Sequence, residues 1–141
     1  MSCLKVIWGA MLALAFACHP AVGATEHSVH FSSYPVSGKT PAEIYRVIMN
    51  RGPMVGGNRA IAATTSEAVQ SHVLTQGAAS CRVTSFRLNF RFDVQLPRHA
   101  NLSELSPQDR FLWQQFSGFL KAHELQHTQL WLRCGTSLER Q

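Results

Sequence analysis

Between Phe86 and Leu96 the chain alternates without a break: Phe86, Leu88, Phe90, Phe92, Val94 and Leu96 are separated by Arg87, Asn89, Arg91, Asp93 and Gln95. A period of two over this length predicts a strand with one face in water and one buried, the pattern of an antiparallel sheet covered on one side. The buried face needs a second layer, and the sequence offers one. Ser106-Pro107 has the form of a cap followed by a first-turn proline, and predicts a long helix from Pro107 to about Cys134, with Gly118 as its weak spot. Phe111, Leu112, Phe116, Phe119, Leu120, Leu125, Leu130 and Trp131 cover most of its circumference, as expected of a helix buried on several sides. Sheet and helix together predict an α+β domain.

The remaining elements are shorter. Glu26 to Ser37 alternates loosely through Val29, Phe31, Tyr34 and Val36, and Pro35 assigns it to a sheet edge. Thr40-Pro41-Ala42-Glu43 begins a short helix with an apolar stripe of Ile44, Val47 and Ile48, stopping at Gly52-Pro53. Val55-Gly56-Gly57-Asn58 predicts a turn. The Thr-rich stretch from Arg59 to Leu74 favours a strand, with a helical turn around Glu67 as the alternative. Pro97 is expected to end the central strand. At 141 residues, without internal repeats, the chain accommodates one domain, and its net charge of +5 is scattered rather than clustered. Nucleic acid is therefore not an expected partner.

Residues 1–24 have the layout of an export signal: Lys5, an apolar run from Val6 to Cys18, then Val22-Gly23-Ala24 before Thr25. The run falls short of the roughly 20 residues a membrane span requires, so no stable span is expected after cleavage. Phe16 and Leu14 make Cys18 a poor lipid-attachment site. The expected product is a periplasmic or secreted domain of residues 25–141 that retains two cysteines, Cys81 and Cys134. In an oxidising compartment these are expected to form one disulfide, constraining the unfolded chain by roughly 4 kcal/mol.

Inside the long helix lies His123-Glu124-Leu125-Gln126-His127, an H-E-x-x-H pattern. At 100° per residue the two histidines sit one turn apart on one face, so both imidazoles can reach one zinc ion at about 2.0 Å. Glu124, beside the first ligand, is placed to take a proton from a metal-bound water. A catalytic site needs a third ligand. Leu130 and Arg133 stand where a metzincin would have glycine and histidine, which excludes that subclass. Downstream only Glu139 remains, about 18 Å beyond His127 on a straight helix. Upstream, His99, Asp93, Glu104 and Asp109 are candidates, and no sequence feature selects one. Taken singly, His27, His30, His72 and His99 are each expected at the surface rather than as ligands.

Tyr34-Pro35-Val36-Ser37-Gly38-Lys39-Thr40, Arg51-Gly52-Pro53, Gly57, Arg59, Cys81-Arg82-Val83, Leu96-Pro97, Trp113 and the His123 to His127 motif occur here in an order that resembles a bacterial family of predicted secreted zinc-dependent proteases, domain of unknown function 922. The resemblance implies a small zincin-like fold in which His123 and His127 bind zinc and Glu124 acts as general base. Similar proteins continue past the motif helix, so this domain is expected to be short at its C-terminus. The leading expectation is an exported zinc metallopeptidase acting on peptide or protein substrates. Its rival is a non-catalytic envelope protein with a structural or degenerate metal site. Oligomeric state is left open.

Overall fold

The strand predicted from the alternation is the centre of the molecule. In a computed structural model that describes residues 25–78 and 80–140, β5 (Cys81–His99) lies between β1 (Glu26–Val36) and β4 (Ala63–Gln76) in a three-stranded sheet ordered β1-β5-β4. Residues 1–24, where an export signal is expected, lie outside the described residues. Helix α1 (Pro41–Arg51) follows β1, and two short strands, β2 (Met54–Val55) and β3 (Asn58–Arg59), form a separate hairpin. A 3-10 turn at Leu102–Glu104 leads into α2 (Pro107–Glu139), which is 33 residues long.

The α+β architecture with its long C-terminal helix is as expected. The sheet, however, is mixed rather than wholly antiparallel. β4 pairs antiparallel with β5, whereas β1 pairs parallel, from Glu26 opposite Asn89 to Val36 opposite His99. The chain leaves the end of β1 through α1 and the β2–β3 hairpin, placing β4 and then β5 without reversing β5 relative to β1. Loose alternation specifies a face, and it carries no information on direction. Pro97 does not end β5. Pairing with β4 stops at Gln95, so beyond it β5 has one open edge, where a missing N–H costs no ladder bond. Around Glu67 the backbone is strand, and Glu67 faces Arg91 across the ladder with an exposed contact of 3.8 Å.

Leu88, Phe90, Phe92 and Val94 are buried beneath α2, with Phe90 and Phe92 stacked at 5.7 Å. A second cluster joins Tyr34, Val36, Ile44, Ile48, Leu105 and Trp113 where α1 and the first half of α2 meet the end of β1. Tyr34 donates its hydroxyl to the Ile61 carbonyl at 2.7 Å, and burial pushes its pKa up to about 12. Ionising Tyr34 is thus harder in the fold than out of it. The stability this carries is complete below pH 10 and lost as pH rises toward 12.

The buried face of α2 differs from the one its apolar residues suggest. Trp113, Leu120, Glu124, Thr128 and Gly135 face inward, while Phe111, Leu112, Phe119, Leu130 and Trp131 are exposed. Small and polar residues on the inner stripe let the helix approach the sheet closely. A Cβ on Gly135 would lie 2.6 Å from Phe90 Cε2. Gly135→Val is therefore expected to lower stability by about 1–3 kcal/mol through overpacking, as measured by thermal unfolding.

The expected disulfide is not formed: Cys81 and Cys134 are free and exposed. Cys134 adjoins Gly135, which rests on Phe90. Cys81 lies at the other end of β5, about 30 Å from Phe90 at 3.3 Å per residue, whereas a disulfide needs Cα atoms within about 7 Å. Adding reductant should leave the unfolding temperature unchanged, and paired melts test this. Around Cys81, β4 and β5 extend past the start of β1 as a two-stranded ribbon. β4 is exposed from Thr65 to Gln76, including Val69, Val73 and Leu74, and Val83 is exposed opposite. Among the described residues no helix is long and apolar enough to cross a membrane.

Candidate metal centre

Ser106 starts α2 in register. Its Oγ accepts the Asp109 N–H at 3.1 Å and donates to the Asp109 carboxylate at 2.6 Å, with Pro107 in the first turn. The helix then runs unbroken through Gly118, so His123 and His127 fall one turn apart on its outer side while Glu124 turns inward. One ligand atom from each of His123, Glu124 and His127 lies within 4.8 Å of the others. The two imidazoles stand 4.9 Å apart, centre to centre, nearly perpendicular. Phe119, one turn earlier, stacks against His123 at 6.2 Å and limits how its ring can turn.

Glu124 is 5 % exposed, and its burial is supported by a hydrogen bond. Thr64, at the start of β4, donates its hydroxyl to Glu124 Oε2 at 2.7 Å and lies 3.2 Å from the Glu124 carbonyl oxygen. A buried carboxylate requires such a partner. Across the sheet, Phe31 and Thr64 both pair with Val94, and Lys121 Nζ sits 4.9 Å above the Phe31 ring. Strands β1 and β4 thus both hold the motif turn of α2 against the sheet.

Residues 31–141 match the family described as bacterial protein of unknown function (DUF922). The chain belongs to this family. No curated protein and no solved structure matches it. The DUF922 match extends from the middle of β1 to the end of the sequence and includes the whole His123, Glu124 and His127 group.

In this DUF922 fold the candidate third ligands are all placed elsewhere. His99, expected at the surface, is instead buried: its Nδ1 accepts the Asn101 N–H, so its Nε2 donates to the Gly38 carbonyl, and its ring abuts Trp113, about 15 Å up α2 from His123. Asp93 bonds His30 at 3.1 Å and alternates with buried Phe92 and Val94, so it points away from α2. Glu104 accepts from Asn101, and the Asp109 carboxylate accepts the hydroxyl of the capping Ser106. Glu139 accepts the Leu88 N–H at 2.8 Å and the Thr25 hydroxyl at 3.0 Å, on a helix that stays straight past Gly135. Among the described residues no further histidine, cysteine or acid joins the group.

Glu139→Ala is accordingly expected to leave zinc affinity unchanged and to lower stability by about 1–3 kcal/mol, because the Leu88 N–H loses its partner. Metal titration and thermal unfolding of the same variant separate the two effects. Thr64 was missed in the sequence. It sits 60 residues from Glu124 in an ordinary Thr-rich stretch, and no local pattern marks it. An apolar groove of about 330 Å³ between α1 and α2, lined by Ile44, Tyr45, Ile48, Leu112, Trp113 and Phe116 among others, shares no residue with the metal group.

Proposed function

We propose that this DUF922 protein is an exported zinc-dependent metallohydrolase, a peptidase acting on peptide or protein substrates in the periplasm or outside the cell. The observation that carries the reading is the grouping of His123, Glu124 and His127 within 4.8 Å on one helix, with both imidazoles exposed and the carboxylate held from behind. Two imidazole nitrogens one helical turn apart suit zinc by donor type and spacing, so His123 and His127 are its holders. When bound, zinc supplies Lewis-acid polarisation of a carbonyl and acidifies a water. Glu124 would take a proton from the attacking water and return it to the leaving amine. The Thr64 hydroxyl engages Oε2, which assigns the moving proton to Oε1. Thr64 is a positioning residue, since it acts through the carboxylate. Export follows from the signal-like pattern of residues 1–24, and neither nucleic acid nor a membrane span belongs to this reading.

A second reading, a non-catalytic envelope protein with a structural or degenerate metal site, draws on the burial of Glu124 and on the two-histidine ligand set among the described residues. Metal analysis of the purified protein, with digestion of an unstructured protein in the presence and absence of chelator, separates the two. About one zinc per chain together with chelator-sensitive cleavage supports the peptidase. Zinc without cleavage supports the second reading. A chain that takes up no zinc overturns the metal assignment.

A further inference from the structure

Thr25 meets the last turn of α2. Its Oγ1 donates to Glu139 Oε2 at 3.0 Å and lies 3.1 Å from Thr136 Oγ1, while Glu139 Oε1 accepts the Leu88 N–H at 2.8 Å. The pairing of β1 with β5 begins at Glu26 opposite Asn89, so Leu88 is the first β5 residue below the end of that ladder. The Glu139 carboxylate closes this corner of the sheet with a side chain from α2. Thr25, held by the same carboxylate, directly follows Val22-Gly23-Ala24, the small residues of a peptidase cut.

We propose that cleavage before Thr25 turns this corner into an ion pair between the new α-ammonium group and the Glu139 carboxylate, so that processing tightens the seating of α2 on the sheet. Hydrolysis of the Ala24–Thr25 amide consumes one water, leaves the carboxylate on Ala24 and gives Thr25 an amine. That amine has an ordinary pKa of about 8 and is largely protonated at neutral pH. Covalent geometry keeps the nitrogen within about 4 Å of its own Oγ1, hence within roughly 7 Å of Glu139 Oε2, and rotation about the freed end can shorten the gap. Before the cut the same nitrogen is an uncharged amide. The end of α2 presents unpaired carbonyls, the negative pole of the helix, which favours a cation there in addition to the carboxylate. Because α2 carries His123 and His127, the pair would steady the helix of the metal group only in the processed chain.

The proposal rests on the export part of the reading above and is independent of the metal. The test uses full-length protein expressed with its own N-terminus, collected after export and sequenced from its N-terminus. The expected first residue is Thr25. Selective acetylation of its α-amine near pH 6.5, where lysines react slowly, should lower the unfolding temperature by roughly 2–5 °C. In Glu139→Gln the same acetylation should have no effect. If that variant does not fold, salt provides the second measurement: in the wild-type chain the acetylation effect should shrink between low salt and 1 M. A chain that stays uncut inside the cell would overturn both the proposal and the export reading. A chain cut elsewhere would overturn the proposal and leave export standing. Thr25 at the N-terminus with no effect of acetylation, or with an effect that neither Glu139→Gln nor salt reduces, would show that the pair does not form.

Discussion

His123→Ala and His127→Ala are each expected to abolish the zinc binding proposed above while keeping the fold. Both imidazoles are exposed on the outer side of α2 and are the only histidines in the group, so each variant leaves one nitrogen ligand. Loss of an outer-shell partner typically weakens a metal site 10–100-fold, and loss of a direct ligand here should exceed about a hundredfold. Exposed substitutions cost little stability, within about 0.5 kcal/mol, so the melting curve should barely move. The measurement is zinc per chain after dialysis against a weak competitor, with circular dichroism as the fold control. Unchanged zinc in both variants would place the metal elsewhere.

Glu124→Gln has the second large effect, and it acts on rate rather than on metal. The amide oxygen of glutamine can still accept the Thr64 hydroxyl, so the buried contact at 2.7 Å is conserved in shape. A glutamine cannot take up the proton of an attacking water. Hydrolysis should fall at least about a hundredfold in kcat/KM with zinc content unchanged. Full activity in this variant would remove Glu124 from the chemistry and favour the non-catalytic reading. Glutamine is a cleaner test than alanine, because truncation would also leave the Thr64 hydroxyl facing an empty space, at a cost of about 1–3 kcal/mol.

What the sequence disclosed depended on how local each signal was. The centre of β5 was legible because its alternation is strict and one face is uniformly apolar. The cap of α2 and the two histidines were legible because both lie within a few residues of their partners. The parallel run of β1 was not, since direction is set by the connection through α1 rather than by side-chain pattern. The inner face of α2 was misleading for a physical reason: close approach to Phe90 demands Gly135, and the partnered carboxylate of Glu124 shares that face, so two residues without apolar side chains mark the contact. The cysteine pair followed from the expected compartment, which says nothing about the length of a strand. Thr64 and the Glu139 anchor belong to contacts made across most of the chain, where sequence spacing carries no distance.

The ribbon of β4 and β5 beyond the reach of β1 and α2 has few buried contacts to break, so it can open from the Gly77 turn without unfolding the domain. The cost of opening rises toward Ala63, where β4 enters the packed layer. Thr64 is the second residue of β4, next to Ala63 at the protected end. Separation of the strands can therefore travel most of the length of β4 and stop before it reaches the hydroxyl that holds Glu124. One strand serves as a loose arm at one end and a fixed mount at the other, and the difference is made by where α2 lies across it.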